Sequence, residues 1–185
     1  MSKLGSAKIY GGIGAILTLI GSFLPYGVVS LIGIVLVFIA VKYISDEAKE
    51  TGIFQNYLIS FIFRICSIFA LVAVTIIVVG SVSLKNIEKF SNPKDLFEGL
   101  AGSVLVGIII GIIAMWIFWI IAAIYLRKSY DSIAQHTKVD LFKTTGMLYF
   151  IGAITTIVLI GFIILLIAII LEIVSYFSLP EELPT

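Results

Sequence analysis

Two ionisable side chains lie inside long apolar runs, where a charge has its highest free-energy cost and therefore suggests a specific role. Arg64 lies about six residues into the run Leu58–Leu84, and Glu172 lies late in the run Met147–Leu179. A charge at the bilayer centre costs at least about 2.5–3.5 kcal/mol, so such groups pair, line a water-filled cavity or reach the interface. The two residues predict a buried ion pair, a polar step in a transport path, or side chains that reach the membrane interface.

Other reactive side chains are scarce. His136 is the only histidine and has two carboxylates nearby, Asp131 and Asp140, which are too few well-spaced ligands for a catalytic zinc site. Cys66 is the only cysteine, so it forms no intrachain disulfide, and no intramembrane histidine is present to activate it. No nucleophile with its base and no metal cluster can be assembled, so neither an enzyme activity nor a cofactor is predicted.

The composition indicates which elements must position these residues. The chain has 185 residues, of which 61% are hydrophobic and 12% are charged, and its mean hydropathy is +1.20. A soluble domain carries about 45–50% apolar and about 25% charged residues. The net charge of +1 provides no concentrated basic face for a nucleic acid. We therefore expect an all-α, polytopic integral membrane bundle that has lipids and no nucleic acid as partners.

Apolar runs of about 20 residues, the length that crosses a bilayer core of about 30 Å, divide the chain. Pro25–Gly27 separates the first run from the second and is predicted to form a turn. Pro93, after an N-cap at Ser91 or Asn92, starts the fourth helix. The polar stretch Arg127–Lys143 is predicted to be a helical extension with a turn near residues 136–140. The single predicted domain, 1–185, thus contains a hairpin over 1–45, a second over 54–127 and a C-terminal segment over 140–179.

The last apolar run admits two interpretations. Met147–Leu179 would measure about 48 Å as one helix, too long for a single span without steep tilt. A weak internal repeat, in which Ile13–Ile16 resembles Ile151–Ile154, favours a hairpin that turns near Gly161. The hairpin predicts six transmembrane helices arranged as three hairpins. The alternative is five helices, the last of them long.

This choice decides whether Arg64 and Glu172 can meet. In the six-helix topology both lie about six residues from the same membrane face, or about 9 Å deep. A paired charge shares its desolvation cost with its partner. We therefore predict that Glu172 points into the bundle and pairs with Arg64.

Lysine and arginine positions predict the orientation of the spans. In the six-helix topology eight of them lie on one face and three on the other, so we expect a cytoplasmic N-terminus in the cell membrane. Four of the eight lie in the polar stretch, which we predict to contact lipids or a partner protein. These four are Arg127, Lys128, Lys138 and Lys143.

Small residues spaced by four predict close packing between helices, since they let backbones approach each other. Packing within one bundle is the main interpretation, and a homo-oligomer seam is the alternative. The residues are Ser103, Gly107 and Gly111 on the fourth helix and Gly14, Thr18 and Ser22 on the first.

Several segments resemble a known family. The chain is similar to the small, mainly archaeal multi-pass membrane proteins grouped as domain of unknown function 996. The resemblance covers essentially the whole chain; it implies a membrane location and no assigned site residues. The segments that carry it are Ala7–Leu17, Ala40–Ser45, Ser129–Ala134, Leu141–Thr144 and Tyr176–Pro180.

Three functional classes follow from these features. We expect a non-catalytic membrane protein: a scaffold, an accessory subunit of a partner membrane protein, or a lipid-binding protein. The alternative is a small solute or ion transporter or channel that uses Arg64 and Glu172. A membrane-embedded enzyme has the least support in the sequence.

Overall fold

The computed structural model of the chain describes residues 2–24, 27–86 and 93–184, and only the backbone of residues 82–86 and 93–100. The described part contains helices and no strand. Six of its helices are long and apolar enough to cross a membrane. They are α1 (Lys3–Gly21), α2 (Val28–Ala48), α3 (Thr51–Asn86), α4 (Pro93–Thr137), α5 (Leu141–Thr155) and α6 (Ile160–Phe177), and a 3₁₀ turn (Thr156–Val158) follows α5.

The six-helix prediction is confirmed, and the five-helix alternative is wrong. The chain reverses after α5 because Leu159 adopts a left-handed conformation, with φ of 64°, before α6 starts at Ile160. The reversal comes slightly before Gly161, the predicted position. Gly161 lies instead against the backbone of Gly152 and Thr156, where a side chain would clash. Close approach of α5 and α6 therefore requires glycine there.

Capping and left-handed residues determine the other helix ends. The Ser2 hydroxyl accepts the Gly5 amide at 3.0 Å and caps α1. Gly27, with φ of 61°, precedes α2, and Lys49, with φ of 51°, ends it. Pro25 and Tyr26 of the predicted turn lie outside the described residues.

The polar stretch follows the predicted pattern of a helical extension and a turn. α4 starts at Pro93 and continues to Thr137, while its predicted N-cap residues lie outside the described part of the chain. Lys138 has a φ of 57°, and α5 begins at Leu141. The four basic residues of the stretch thus lie on two successive helices and the connection between them.

The contacts divide into two compact units. One contains Met1–Ser60 and Ala123–Thr185. Its buried core gathers where α1, α3 and α5 begin and where α2, α4 and α6 end, which is one end of an antiparallel bundle. Core residues there include Leu4, Ile44, Ile53, Ile133, Phe142 and Tyr176.

The other unit, Phe61–Ala122, contains the rest of α3 and α4. Gly107 lies against Thr75, and Gly111 lies against Leu71 and Thr75. The Thr75 hydroxyl is 3.3 Å from the Gly107 carbonyl oxygen, to which it donates. The missing side chains of the two glycines let the two helices come this close.

Large apolar side chains cover much of the outer surface. Ile68, Phe69 and Ile77 on α3 and Leu31 on α2 are each more than 60% exposed. Such a surface is incompatible with water, but it is what a bilayer requires of the helices it surrounds. The chain is therefore a multi-pass membrane protein.

Candidate functional site

The buried carboxylate of Glu172 is held by two tyrosines. Glu172 lies on α6 and is 9% exposed. Its Oε1 accepts the hydroxyl of Tyr130, on α4, at 2.6 Å, and its Oε2 accepts the hydroxyl of Tyr149, on α5, at 2.5 Å. Hydrogen bonds to a carboxylate are about twice as strong as those between neutral groups. These three residues, the tyrosine–glutamate cluster, connect α4, α5 and α6.

Aromatic rings surround this cluster. Tyr130 stacks on Tyr57 of α3 at a ring-centre distance of 6.5 Å and meets the edge of Phe142 at 5.6 Å. Phe142 in turn contacts the ring of Tyr176 at 5.1 Å. The carboxylate therefore lies in a tightly packed aromatic environment, where its hydrogen bonds are strong and their loss is costly.

The predicted partner of Glu172, Arg64, lies on α3 within the other compact unit. Its backbone carbonyl accepts the Ser67 hydroxyl at 2.6 Å. The Arg64–Glu172 ion pair stays a prediction, whereas both oxygens of Glu172 have tyrosine partners.

A second polar feature runs along one face of α4. Two cavities share Asp131: one of about 290 Å³ lies beside Arg127, Lys128 and Phe150, and one of about 420 Å³ lies beside Lys138 and Lys143. We call this pair of cavities the α4 groove. Ile124 also lines the first cavity, and Ala134, Gln135 and Asp140 line the second.

The groove changes in polarity along its length. Ile124 and Phe150 add apolar surface to the first cavity, where the guanidinium of Arg127 lies 5.7 Å from the centre of the Phe150 ring. Lys138 and Lys143 line the other end of the groove together with Asp131 and Asp140. An amphiphile with a charged head would match this lining, since its tail and its charge would each meet a compatible surface.

Asp131 lies at the junction of the two cavities. Its Oδ2 is 3.7 Å from Nε of Arg127, one helical turn earlier, and its side chain is 31% exposed. Its other oxygen, Oδ1, is buried and has no hydrogen-bond partner among the described residues. A buried unpaired acceptor is rare in folded proteins and calls for an explanation.

The remaining candidate residues, His136 and Cys66, line neither cavity. Nδ1 of His136 is 2.9 Å from the carbonyl oxygen of Ser132 in its own helix, and Cys66 is a partly buried free thiol. Within the described ranges, no group of three His, Cys, Asp or Glu side chains comes together as a metal site.

The small residues predicted to pack occupy different environments. Gly14 contacts the backbone of Gly33 on α2, and Thr18 donates to the Gly14 carbonyl oxygen at 2.9 Å. Ser22 is exposed, and its hydroxyl donates to the carbonyl of Thr18 within α1. Ser103 is buried on α4, as are Gly107 and Gly111.

Sequence reasoning missed the tyrosine partners of Glu172. One signal could have found Tyr149: it and Glu172 are equally far from residues 160–161, so a turn there brings them opposite each other. No comparable signal identifies Tyr130, because α4 is distant in sequence and its register against α6 depends on packing.

Comparison with known proteins identifies a family that the chain matches. Residues 29–170 match the family described as a protein of unknown function, DUF996. An uncharacterized protein of Methanocaldococcus jannaschii is 35% identical over 181 residues, which cover 98% of this chain and 96% of that protein. No solved structure matches the chain.

Proposed function

This chain belongs to the DUF996 family of proteins of unknown function, and we propose that it is a non-catalytic protein that binds phospholipid headgroups in the α4 groove. The bound group is the phosphate of an anionic lipid. The cell membrane is its location, with the N-terminus in the cytoplasm, so that the groove faces the inner leaflet.

One observation carries this proposal: basic and apolar side chains line the same cavity. Arg127 and Lys128 border the cavity that Ile124 and Phe150 make apolar. An acyl chain fits beside the apolar residues while the phosphate meets the guanidinium and ammonium groups. The predicted orientation supports the same assignment, because basic residues cluster on cytoplasmic faces.

The tyrosine–glutamate cluster supports a structural role for the buried carboxylate. Both oxygens of Glu172 accept tyrosine hydroxyls, so the carboxylate holds helices together beside the groove. The transporter alternative assigns Glu172, with Arg64, to a solute path. A liposome flux assay over ions and small metabolites separates the two functions, and we expect no flux above that of protein-free vesicles.

The direct test removes the four positive charges that line the groove. A variant with Gln in place of Arg127, Lys128, Lys138 and Lys143 is reconstituted in nanodiscs that contain phosphatidylglycerol. Native mass spectrometry then counts the lipids retained by the protein. Each basic residue near an anionic surface contributes about 1 kcal/mol, so we expect retention at least about tenfold weaker than in the wild type.

The matched control removes the same number of charges from the same predicted face. It carries Gln in place of Lys3, Lys8, Lys42 and Lys49, none of which lines either cavity. The control should retain phosphatidylglycerol as the wild type does. Equal retention by the groove variant would overturn the proposal and would favour a partner membrane protein or a second copy of the chain as the occupant of this face.

A further inference from the structure

We propose that the α4 groove recognises an anionic phospholipid whose headgroup carries a primary ammonium group, and that the carboxylate of Asp131 binds this ammonium group. This inference rests on the proposed function, because it names the lipid class that the same groove selects. It starts from Asp131, the acidic residue that lies between the basic residues of the groove.

The position of Asp131 between the two cavities is the first support for this role. Asp131 lines both cavities, so it lies where a headgroup passes from the first into the second. Arg127 and Lys128 lie on one side of it, and Lys138 and Lys143 lie on the other. A phosphate bound by the first pair therefore places the rest of its headgroup next to the Asp131 carboxylate.

Unused hydrogen-bonding capacity is the second step. Oδ1 of Asp131 is buried, so Oδ2 is the carboxylate oxygen that a ligand can reach, and its distance of 3.7 Å from Nε of Arg127 is too long for a hydrogen bond. A carboxylate oxygen only accepts hydrogen bonds, so its complement is an N–H or O–H donor. Because the oxygen is charged, an ammonium donor is the stronger partner.

The charge balance of the second cavity is the third step. Two lysines, Lys138 and Lys143, and two aspartates, Asp131 and Asp140, line it. Such a balanced set disfavours a purely anionic occupant, because the aspartates would repel it. It suits a group that carries both charges, such as the ammonium and carboxylate of a serine headgroup.

Two lipids of equal net charge provide the test. Phosphatidylserine and phosphatidylglycerol each carry one negative charge, but only phosphatidylserine has an ammonium group. We expect native mass spectrometry from mixed nanodiscs to show about a tenfold preference of the wild type for phosphatidylserine. In Asp131→Asn the preference should disappear, while phosphatidylglycerol is retained at least as well as before.

Asp46→Asn is the matched control. Asp46 also pairs with a basic residue one helical turn away, Lys42 at 2.7 Å, but it lines neither cavity. This variant should keep the preference for phosphatidylserine. The thermal unfolding of Asp131→Asn should match that of the wild type, since Asp131 is partly exposed and lacks one partner.

The outcomes separate this inference from the proposed function. Equal retention of the two lipids by the wild type, or a preference that survives in Asp131→Asn, would overturn the role of Asp131. If phosphatidylglycerol retention still requires the four basic residues in that case, the proposed function stands. If neither lipid depends on those residues, both proposals fail.

Discussion

Tyr130 and Glu172 join α4 to α6 through a buried hydrogen bond of 2.6 Å. Tyr130 is on the helix that carries the α4 groove, one residue before Asp131. Tyr149, which holds the other oxygen of Glu172, precedes Phe150 of the same groove. The buried carboxylate therefore positions the backbone segments that build the α4 groove.

Replacing Glu172 should destabilise the protein. In Glu172→Leu the buried hydroxyl of Tyr130 and the half-buried hydroxyl of Tyr149 lose this acceptor, and an unsatisfied buried group costs about 1–3 kcal/mol. We expect a clearly lower unfolding temperature in detergent, followed by circular dichroism, and a smaller decrease for Glu172→Gln, which keeps one acceptor oxygen. Glu182→Leu, in the exposed C-terminal tail, should unfold as the wild type does. An unchanged unfolding temperature for Glu172→Leu would contradict the role assigned to the cluster.

A larger side chain at Gly111 should push α3 and α4 apart. A Cβ atom there would lie 2.8 Å from the Leu71 carbonyl oxygen and 3.0 Å from the Thr75 hydroxyl. Gly107→Ile and Gly111→Ile together should therefore lower the unfolding temperature in detergent. The control is Gly102→Ile on the same helix, where a Cβ meets nothing within 4 Å. Equal unfolding temperatures for the double variant and for Gly102→Ile would mean that this packing contributes nothing to stability.

Glycine at position 49 should stabilise the protein. Lys49 ends α2 with a φ of 51°, and its amide donates to the Ser45 carbonyl oxygen. A residue with a Cβ atom loses about 1–2 kcal/mol in this left-handed conformation, which glycine adopts freely. Lys49→Gly should thus raise the unfolding temperature. Lys49→Ala removes the same charge without relieving the strain, so a similar rise in both variants would refute this explanation.

The topology predicts that both ends of the chain lie on the same side of the membrane. Six spans return the chain to its starting side, and the basic residues favour the cytoplasm. In a Cys66→Ser background, Ser2→Cys and Glu182→Cys should both be protected from a membrane-impermeant thiol reagent in intact cells. Ser22→Cys, at the opposite end of α1, should react. Labelling of position 182 without labelling of position 2 would contradict the six-span topology.

Several elements could be predicted from the sequence because local chemistry determines them. The length and polarity of the apolar runs predicted membrane helices, with the last run read as a hairpin or as one long helix, and Pro93 marked the start of α4. Spacing by four placed Gly107 and Gly111 on one face of a helix, because that repeat is close to the helical period. The polar stretch with its four basic residues was identified by composition alone.

Which side chains meet was decided by tertiary packing. The sequence assigned Glu172 one hypothetical partner, Arg64, from depth in the membrane, but depth does not specify which helix faces which. The rotation of α4 and α5 places the hydroxyls of Tyr130 and Tyr149 on the carboxylate. The same rotation leaves Oδ1 of Asp131 buried without a hydrogen-bond partner among the described residues. Helix formation in a membrane follows from hydrophobicity and local hydrogen bonds, whereas the register between helices depends on the fit of many small contacts far apart in the chain.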